Sequence, residues 1–345
     1  MELNDVERYY CTYFDHRYLD KGMALYQSML EWCKEFTLFV LCLSPECYEQ
    51  LQQLDLPRLK VISLEQLENW DSDLLKAKDT RSLMEYYFTC TPSWPLYILE
   101  HFPSVDLITY LDSDLFFFAN PEPVFDEIQG NSIAIIGHKF PPHFRHLEDR
   151  GRYNVGWVSF RRDASGLACL SWYRESCLEW CYDRLEDGKF ADQKYLDYFP
   201  DRFPHVIELQ HKGANLAPWN ISNYRINKNG PYVQVDEQPL IFYHFHGVKH
   251  VIGPLYDSGL SGYHFKMTKI IRNELYKPYI HCLFHNRTKF TSEAKQGIRY
   301  GAMYRTCVMD VLRYFNNDFR ANGFSISALS SHPYVMGRRN PRGGR

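Results

Sequence analysis

Leu107-Ile-Thr-Tyr-Leu-Asp-Ser-Asp-Leu-Phe-Phe-Phe118 is the stretch on which the reading of this chain turns. Leu107 to Leu111 is apolar apart from Thr109, the pattern of a strand buried on both faces. Asp112 and Asp114 follow where that run ends, and in extended backbone residues two apart send their side chains to the same side. Carboxylates so placed repel, and burial adds to the cost. A divalent cation between them and a polyanionic ligand relieves both. A solvated turn, with Asp112 capping the residues after it, is the plainer alternative for so short a motif.

Upstream, residues 9–14 are a first strand that runs into the loop Asp15-His16-Arg17. Over residues 18–32, Leu19, Met23, Leu25, Met29 and Leu30 recur at helical spacing, and Leu38-Phe-Val-Leu-Cys-Leu43 is a buried strand that Ser44-Pro45 stops. Residues 46–54 read as helix, Lys60-Val-Ile-Ser63 as strand and residues 80–99 as helix. Alternation of this kind argues an α/β fold, an open and mostly parallel sheet flanked by helices, with ligands gathering at the carboxyl ends of the strands. Downstream, residues 132–136 and 156–160 are further strands, residues 167–185 an amphipathic helix, and Ile241-Phe-Tyr-His-Phe245 a late aromatic strand. From about residue 263 to 316 the texture is mixed helical, and no repeat or clean linker divides the chain.

The 345 residues suit one large domain or two moderate ones. Against 42 Asp+Glu, 39 Lys+Arg leave a formal net charge of −3 and no basic excess with which to neutralise a nucleic acid. Hydrophobic residues at 45% and aromatic ones at 16% exclude a disordered chain. Nowhere do the ~18 apolar residues of a membrane span run together. Met1-Glu-Leu-Asn-Asp-Val-Glu7 lacks the basic flank and apolar run of a secretory signal, so a cytoplasmic address is expected, with contact at the inner face of a membrane left open. The 10 cysteines form no Cys-x-x-Cys pair and no zinc spacing with histidine, and read as reduced, mostly buried thiols. Asn220 and Asn286, each in an Asn-x-Ser/Thr triplet, are then expected to stay unmodified.

Three further pieces accompany the Asp-x-Asp. Tyr153-Asn-Val-Gly156 precedes an apolar strand, Ala191-Asp-Gln-Lys194 follows a helix, and Phe242-Tyr-His-Phe-His-Gly-Val-Lys249 combines imidazoles, a flexible glycine and a cation. In this order the set resembles the GT-A type glycosyltransferases, most closely the family 8 group that includes glycogenin and the bacterial galactosyltransferases. The family's Asp-x-Asp falls on Asp112-Ser113-Asp114, its Phe-Asn-x-Gly on Tyr153-Asn154-Val155-Gly156 and its Asp-Gln on Asp192-Gln193. Its closing His-Phe-x-Gly-x-x-Lys-Pro-Trp falls on His244-Phe245-His246-Gly247 and then Lys249, which stands one residue early, with His250-Val251 in place of Pro-Trp.

The resemblance, over residues 9–249, implies a GT-A nucleotide-diphospho-sugar transferase domain at 1–255. A helical extension at 256–337 and a disordered basic tail at 338–345 are expected beyond it. It implies metal-dependent transfer of a hexose from a nucleotide diphosphate sugar, a UDP-sugar being favoured, to a glycan, lipid or protein hydroxyl, with retention. Asp112, Asp114 and His244, the last through neutral imidazole, would hold Mn²⁺ or Mg²⁺. Lys249 and Gly247 would meet the diphosphate. Asn154, Gly156 and Asp192 would serve the sugar, with Gln193 beside the anomeric carbon and Asp192 as the alternative base. Tyr13 and Asp15 are candidates for the base and ribose, and Trp219 for stacking on a sugar ring. Each has a plainer alternative: a hydrogen-bonded His244, a turn at Asn154, a helix cap at Asp192, a buried Trp219. Two rival classes stand beside the transferase. One is a haloacid-dehalogenase-like phosphohydrolase with Asp112 as nucleophile and Asp114 as acid/base, which would usually carry a downstream Asp-Asp pair that this chain lacks. The other is a non-catalytic sugar-nucleotide-binding module.

Overall fold

The computed structural model describes residues 6–252 and 255–293, and the backbone of 334–336. It opens with β1 (Arg8–Phe14), α1 (Leu19–Trp32), β2 (Phe36–Cys42), α2 (Pro45–Leu54) and β3 (Leu59–Ser63), all three strands parallel. Then come α3 (Leu64–Trp70), α4 (Ser72–Ala77), α5 (Leu83–His101), β4 (Leu107–Leu111), β5 (Leu115–Phe117), α6 (Glu122–Ile128), β6 (Ile133–Gly137), β7 (Tyr153–Arg161), α7 (Ala164–Glu179), α8 (Phe199–Arg202) and β8 (Val206–Leu209). Seven of these strands form one sheet in the order β3-β2-β1-β4-β7-β6-β8. Only β7 is reversed within it, antiparallel to both β4 and β6. This is the open, mostly parallel α/β sheet expected from the alternation of patterns.

The two faces divide as period-2 geometry requires. Cys11, Phe39, Leu41, Ile108 and Tyr110 pack with α5 and α7 on one face. Tyr10, Leu38, Val40, Leu111 and Trp157 pack with α1, α2 and α6 on the other. A third core joins a meander of β9 (Ile226–Asn229), β10 (Tyr232–Val235) and β11 (Gln238–Pro239) to β12 (Phe242–His244). It also takes in β13 (Lys249–Ile252), β14 (Leu255–Asp257) and α9 (Lys277–Glu293). β15 (Tyr334–Met336) pairs in parallel with β14. α9 is clasped to α1 by a reciprocal amide pair, Gln27 Nε2 to Asn286 Oδ1 and Asn286 Nδ2 to Gln27 Oε1, both 3.1 Å.

Several boundaries move for local reasons. α5 starts at Leu83 because Ser82 and Glu85 form a capping box, and it tolerates Pro92 and Pro95 within its buried stretch from Thr89 to Leu99. α7 ends at Glu179, short of the expected 185. Trp180 turns to extended backbone there, and Arg81 Nη2 donates to the terminal carbonyl Leu178 O at 3.0 Å. Residues 180–190 therefore intervene before Asp192, which does not follow directly on a helix. Asn154 and Gly156 lie within β7, not in a turn before it, at a bulge where Ile135 pairs with Val158 but Ile136 with Asn154. Of the ten cysteines, the nine within the described residues are free and eight of these are buried. Asn220 and Asn286 are buried and their amide nitrogens are already spent on carbonyl oxygens, which leaves neither free to carry a glycan in the folded chain. The basic tail at 338–345 lies outside the described residues.

Gly213 ties the third core to the sheet, since its carbonyl accepts Ile241 N (2.8 Å) and Phe242 N (3.2 Å) and so registers β12. A Cβ at Gly213 would collide with Pro239 O. Gly213→Ala is expected to cost about 1–3 kcal/mol, as overpacking does. A thermal melt followed by circular dichroism checks this, and an unchanged melting temperature would mean that the 239–242 segment yields freely.

Candidate active site

Past Leu111 the chain stays tied to the sheet, Asp112 N donating to Gly156 O at 3.3 Å, and a turn closed by Leu115 N to Asp112 O (3.2 Å) carries Ser113 and Asp114. β5 then pairs antiparallel with β12, placing His244 opposite Leu115, and Phe245 N donates to Asp114 O at 2.9 Å. These backbone bonds bring His244 Nε2 to 3.0 Å from Asp114 Oδ1 and 3.6 Å from Asp112 Oδ2. One ligand atom from each of Asp112, Asp114 and His244 falls within 4.8 Å of the others. Two carboxylate oxygens and an imidazole nitrogen are a donor set that can hold a divalent metal ion.

A chain of hydrogen bonds orients that imidazole. His138 Nδ1 donates to Arg152 O at 3.3 Å, so His138 Nε2 accepts from Asn154 Nδ2, also at 3.3 Å. Gly156 N donates to Asn154 Oδ1 at 3.1 Å, which identifies the amide oxygen, and His244 Nδ1 donates to the same oxygen at 3.3 Å. Nε2 of neutral His244 is then left with its lone pair toward the two aspartates, the arrangement by which a second partner fixes a ligating imidazole. Gly156 is required for this packing, since a Cβ there would lie 2.5 Å from Asn154 Oδ1 and 2.9 Å from His244 Nδ1. Burial keeps His138 neutral, its pKa lowered to about 3.

The charges are balanced within the protein. Burial opposes ionisation of Asp114, yet His244 and then Lys21 hold its carboxyl well below the usual range. Burial also opposes a charged His244, but Asp114 foremost outweighs it and raises the pKa. Asp112 is raised, by burial first and by the like charge of Asp114, against the pull of His244. Tyr110 Oη donates to Asp112 Oδ1 at 3.0 Å.

Beside this cluster opens a cleft of about 340 Å³. Of the residues predicted from sequence, it gathers Tyr13, Asp112, Asn154, Asp192, Gln193, Trp219 and His244. Asp192 follows Ala191, a non-glycine residue at φ +45°, a strained backbone of the kind that clusters at functional sites. Its side chain makes no N-cap hydrogen bond to the helical turn Gln193–Tyr198. Only 5% exposed, its carboxyl is pushed up to about 7, by burial first and by the charge of Asp112, against a hydrogen bond with Thr91. Tyr13 Oη shares Thr91 Oγ1 at 3.0 Å. Gln193 Nε2 donates to Arg150 O at 3.1 Å. Trp219 is buried edge-on against His244, ring centroids 5.0 Å apart, so the wall it offers is also a brace for the imidazole.

Five predicted residues do not line the cleft: Asp114 belongs to the ligand cluster and Gly156 packs against Asn154 and His244, and the other three are Lys249, Gly247 and Asp15. Lys249 begins β13 opposite Asp257 and is exposed, outside the lining of the cleft. Gly247, at φ +79°, backs onto Gly259. Asp15 is buried with its carboxylate taken by Arg17 N (3.0 Å) and Nε (2.8 Å). In turn, sequence reasoning missed Arg150, His138, Phe88, Phe140, Phe190 and Tyr263, which line the cleft, and Lys21, whose Nζ lies 3.6 Å from Asp114 Oδ2. The one signal for Lys21 was a cation in the first turn of a helix, against the preference set by the helix dipole.

Comparison with known proteins gives two relatives in Bacillus subtilis (strain 168). The uncharacterized protein YfnF is 36% identical over 248 residues, covering 70% of this chain and 81% of its own. The uncharacterized protein YfnD is 32% identical over 242 residues, covering 69% and 77%. No protein-family profile matches the chain. Among solved structures, it is similar to mouse xyloside xylosyltransferase 1 in its apo form at a TM-score of 0.46 and 16% identity, covering 70% of this chain and 98% of that one.

The raised Asp192 pKa sets a stability test. An acid whose folded pKa exceeds its unfolded value contributes stability that is full below the unfolded pKa, usually about 3.9, and lost as pH rises to the folded one, about 7. The ligand-free protein should therefore weaken between pH 4 and 7 on this account. Asp192→Asn, neutral throughout, should melt like the parent at pH 4 and above it at pH 8, by at most about 4 kcal/mol at ~1.4 kcal/mol per pH unit. Thermal melts at the two pH values check it; a variant destabilised at both would show that the carboxylate is a structural anchor.

Proposed function

This chain belongs to the family of the Bacillus subtilis proteins YfnF and YfnD, and we propose that it is a metal-dependent glycosyltransferase of GT-A type, resembling family 8. It moves a hexose from a nucleotide diphosphate sugar, a UDP-sugar by preference, to a hydroxyl of a glycan, lipid or protein. The transferase unit is assigned to residues 1–255 and an extension to 256–337, of which the described part carries α9 against α1, while residues 294–333 lie outside the described residues. Support comes above all from convergence: donors separated by more than 120 residues in sequence, Asp112, Asp114 and His244, meet beside the cleft that Asn154, Asp192 and Gln193 line. Bound Mn²⁺ or Mg²⁺ would supply charge neutralisation of the departing diphosphate.

In this reading the protein's own groups divide the work. Asn154 spends both ends of its amide on the two histidines, so it is a positioning residue for His244 rather than a free sugar ligand. Asp192, buried and able to accept or donate, holds sugar hydroxyls, while the apolar and aromatic walls exclude water. Gln193 stands nearest the anomeric carbon and is a poor base. The anomeric C–O bond to the diphosphate breaks, the acceptor oxygen bonds to the same carbon on the same face, and the acceptor proton passes to the departing diphosphate. An α-configured donor then gives an α-linked product. The phosphohydrolase alternative finds no support, because Asp114 would have to donate a proton and is instead held ionised by His244 and Lys21.

Donor turnover should vanish on chelation with EDTA and return with Mn²⁺ or Mg²⁺. Asp114→Asn should lose at least tenfold, about 1.4 kcal/mol of transition-state stabilisation. Full turnover in a rigorously metal-free preparation would sink the metal assignment, and UDP binding without any turnover would leave a binding module. Proton NMR of the first product reports the stereochemistry: a β-anomeric signal from an α-donor means inversion, with Asp192 as the base.

A further inference from the structure

Lys21 belongs to none of the motifs that mark the site, yet it is built into it. Its Nζ lies 3.6 Å from Asp114 Oδ2 and 4.4 Å from the centroid of the Tyr18 ring, with the side chain only 14% exposed. His244 takes the other oxygen of Asp114, so the two oxygens face different cations. The placement is held by the fold. At the next residue, Gly22, a Cβ would collide with the ring of Phe14, so α1 approaches β1 too closely for any other side chain, and the Gln27–Asn286 pair fixes the same helix from its other side. A near-buried ammonium in a first helical turn opposes the helix dipole and is desolvated. Within this site its compensation comes from Asp114.

Charge counting shows what such a cation does. Asp112 and Asp114 contribute two negative charges, Lys21 one positive, and His244 none when its Nε2 serves as a ligand. With a divalent cation bound the cluster is therefore +1, and without Lys21 it is 0. Lys21 thus competes with a metal for Asp114 and leaves the loaded site positive toward a diphosphate. Resting on the transferase reading above, we propose that Lys21 is a positioning residue that couples the two ligands: the free protein holds a divalent cation weakly, and holds cation and nucleotide diphosphate together strongly.

Isothermal titration calorimetry of the full chain with Mn²⁺ alone, and with UDP at saturating Mn²⁺, tests this. Lys21→Met should bind Mn²⁺ alone at least threefold more tightly and UDP at least tenfold more weakly, while Lys21→Arg keeps both affinities within about threefold of the parent. Should the Met variant melt below the assay temperature, Lys21→Gln is expected to give the same opposed pair of shifts. Affinities that fall together or do not move overturn the coupling and leave Lys21 a scaffold residue. Absence of Mn²⁺ binding by the parent, with or without UDP, overturns the transferase reading and the coupling together, whereas normal binding by the parent with unaltered variants overturns the coupling alone.

Discussion

Two carboxylates leave the core side by side at the end of β4, and the cost of desolvating them governs what the chain supplies around them. Asp112 is met by Tyr110 and Asp114 by His244 and Lys21, and these partners arrive on three different elements, β4, β12 and α1. Each element is in turn fixed by something remote from the site. β12 is registered by the carbonyl of Gly213, and α1 by the close approach at Gly22 and the amide pair with α9. The helix beyond residue 255 therefore contributes to the site without lining it, because it holds the helix that carries Lys21.

The other organising device is a relay of fixed donors and acceptors running from Arg152 O through His138 and Asn154 to His244. Two backbone groups of fixed direction anchor it, Arg152 O at His138 and Gly156 N at Asn154 Oδ1, and they set the donors and acceptors between them. The bulge in β7 is what lets the strand present Asn154 inward and still return to register at Val158. Residues in left-handed backbone surround the same region: Lys139 at φ +53°, Ala191 at φ +45° and Asn215 at φ +61°. Strain of this order, about 1–3 kcal/mol per residue, persists only where the surroundings over-determine the conformation. Of the three, Ala191 lines the cleft itself.

Local pattern made much of the frame legible. The alternation of period 2 with period 3.6 announced β1-α1-β2-α2-β3, and the apolar run before Asp112 marked β4 from Leu107 to Leu111 as the structure has it. The place of Asp112 and Asp114 at a strand end followed from the same run, and the aromatic strand around His244 was visible as a strand. These features depend on residues within a few positions of one another, which is why a linear reading reaches them.

Non-local pairing decided the rest. Nothing in the chain's local pattern distinguishes β7 as the reversed strand, since its direction comes from hydrogen bonds to β4 and β6 across the sheet. Lys249 matched a motif by spacing and yet turned to solvent, because the β13–β14 pairing and not the motif sets its orientation. Asp15 stood in a favourable loop, but Arg17, two residues on, satisfies it. Lys21 meets Asp114 across 93 positions of sequence, and the raised pKa of Asp192 comes from its burial and from the charge of Asp112, 80 positions away. Charge and hydroxyl chemistry are written residue by residue, whereas desolvation and the direction of a hydrogen bond belong to neighbours that only the folded chain supplies.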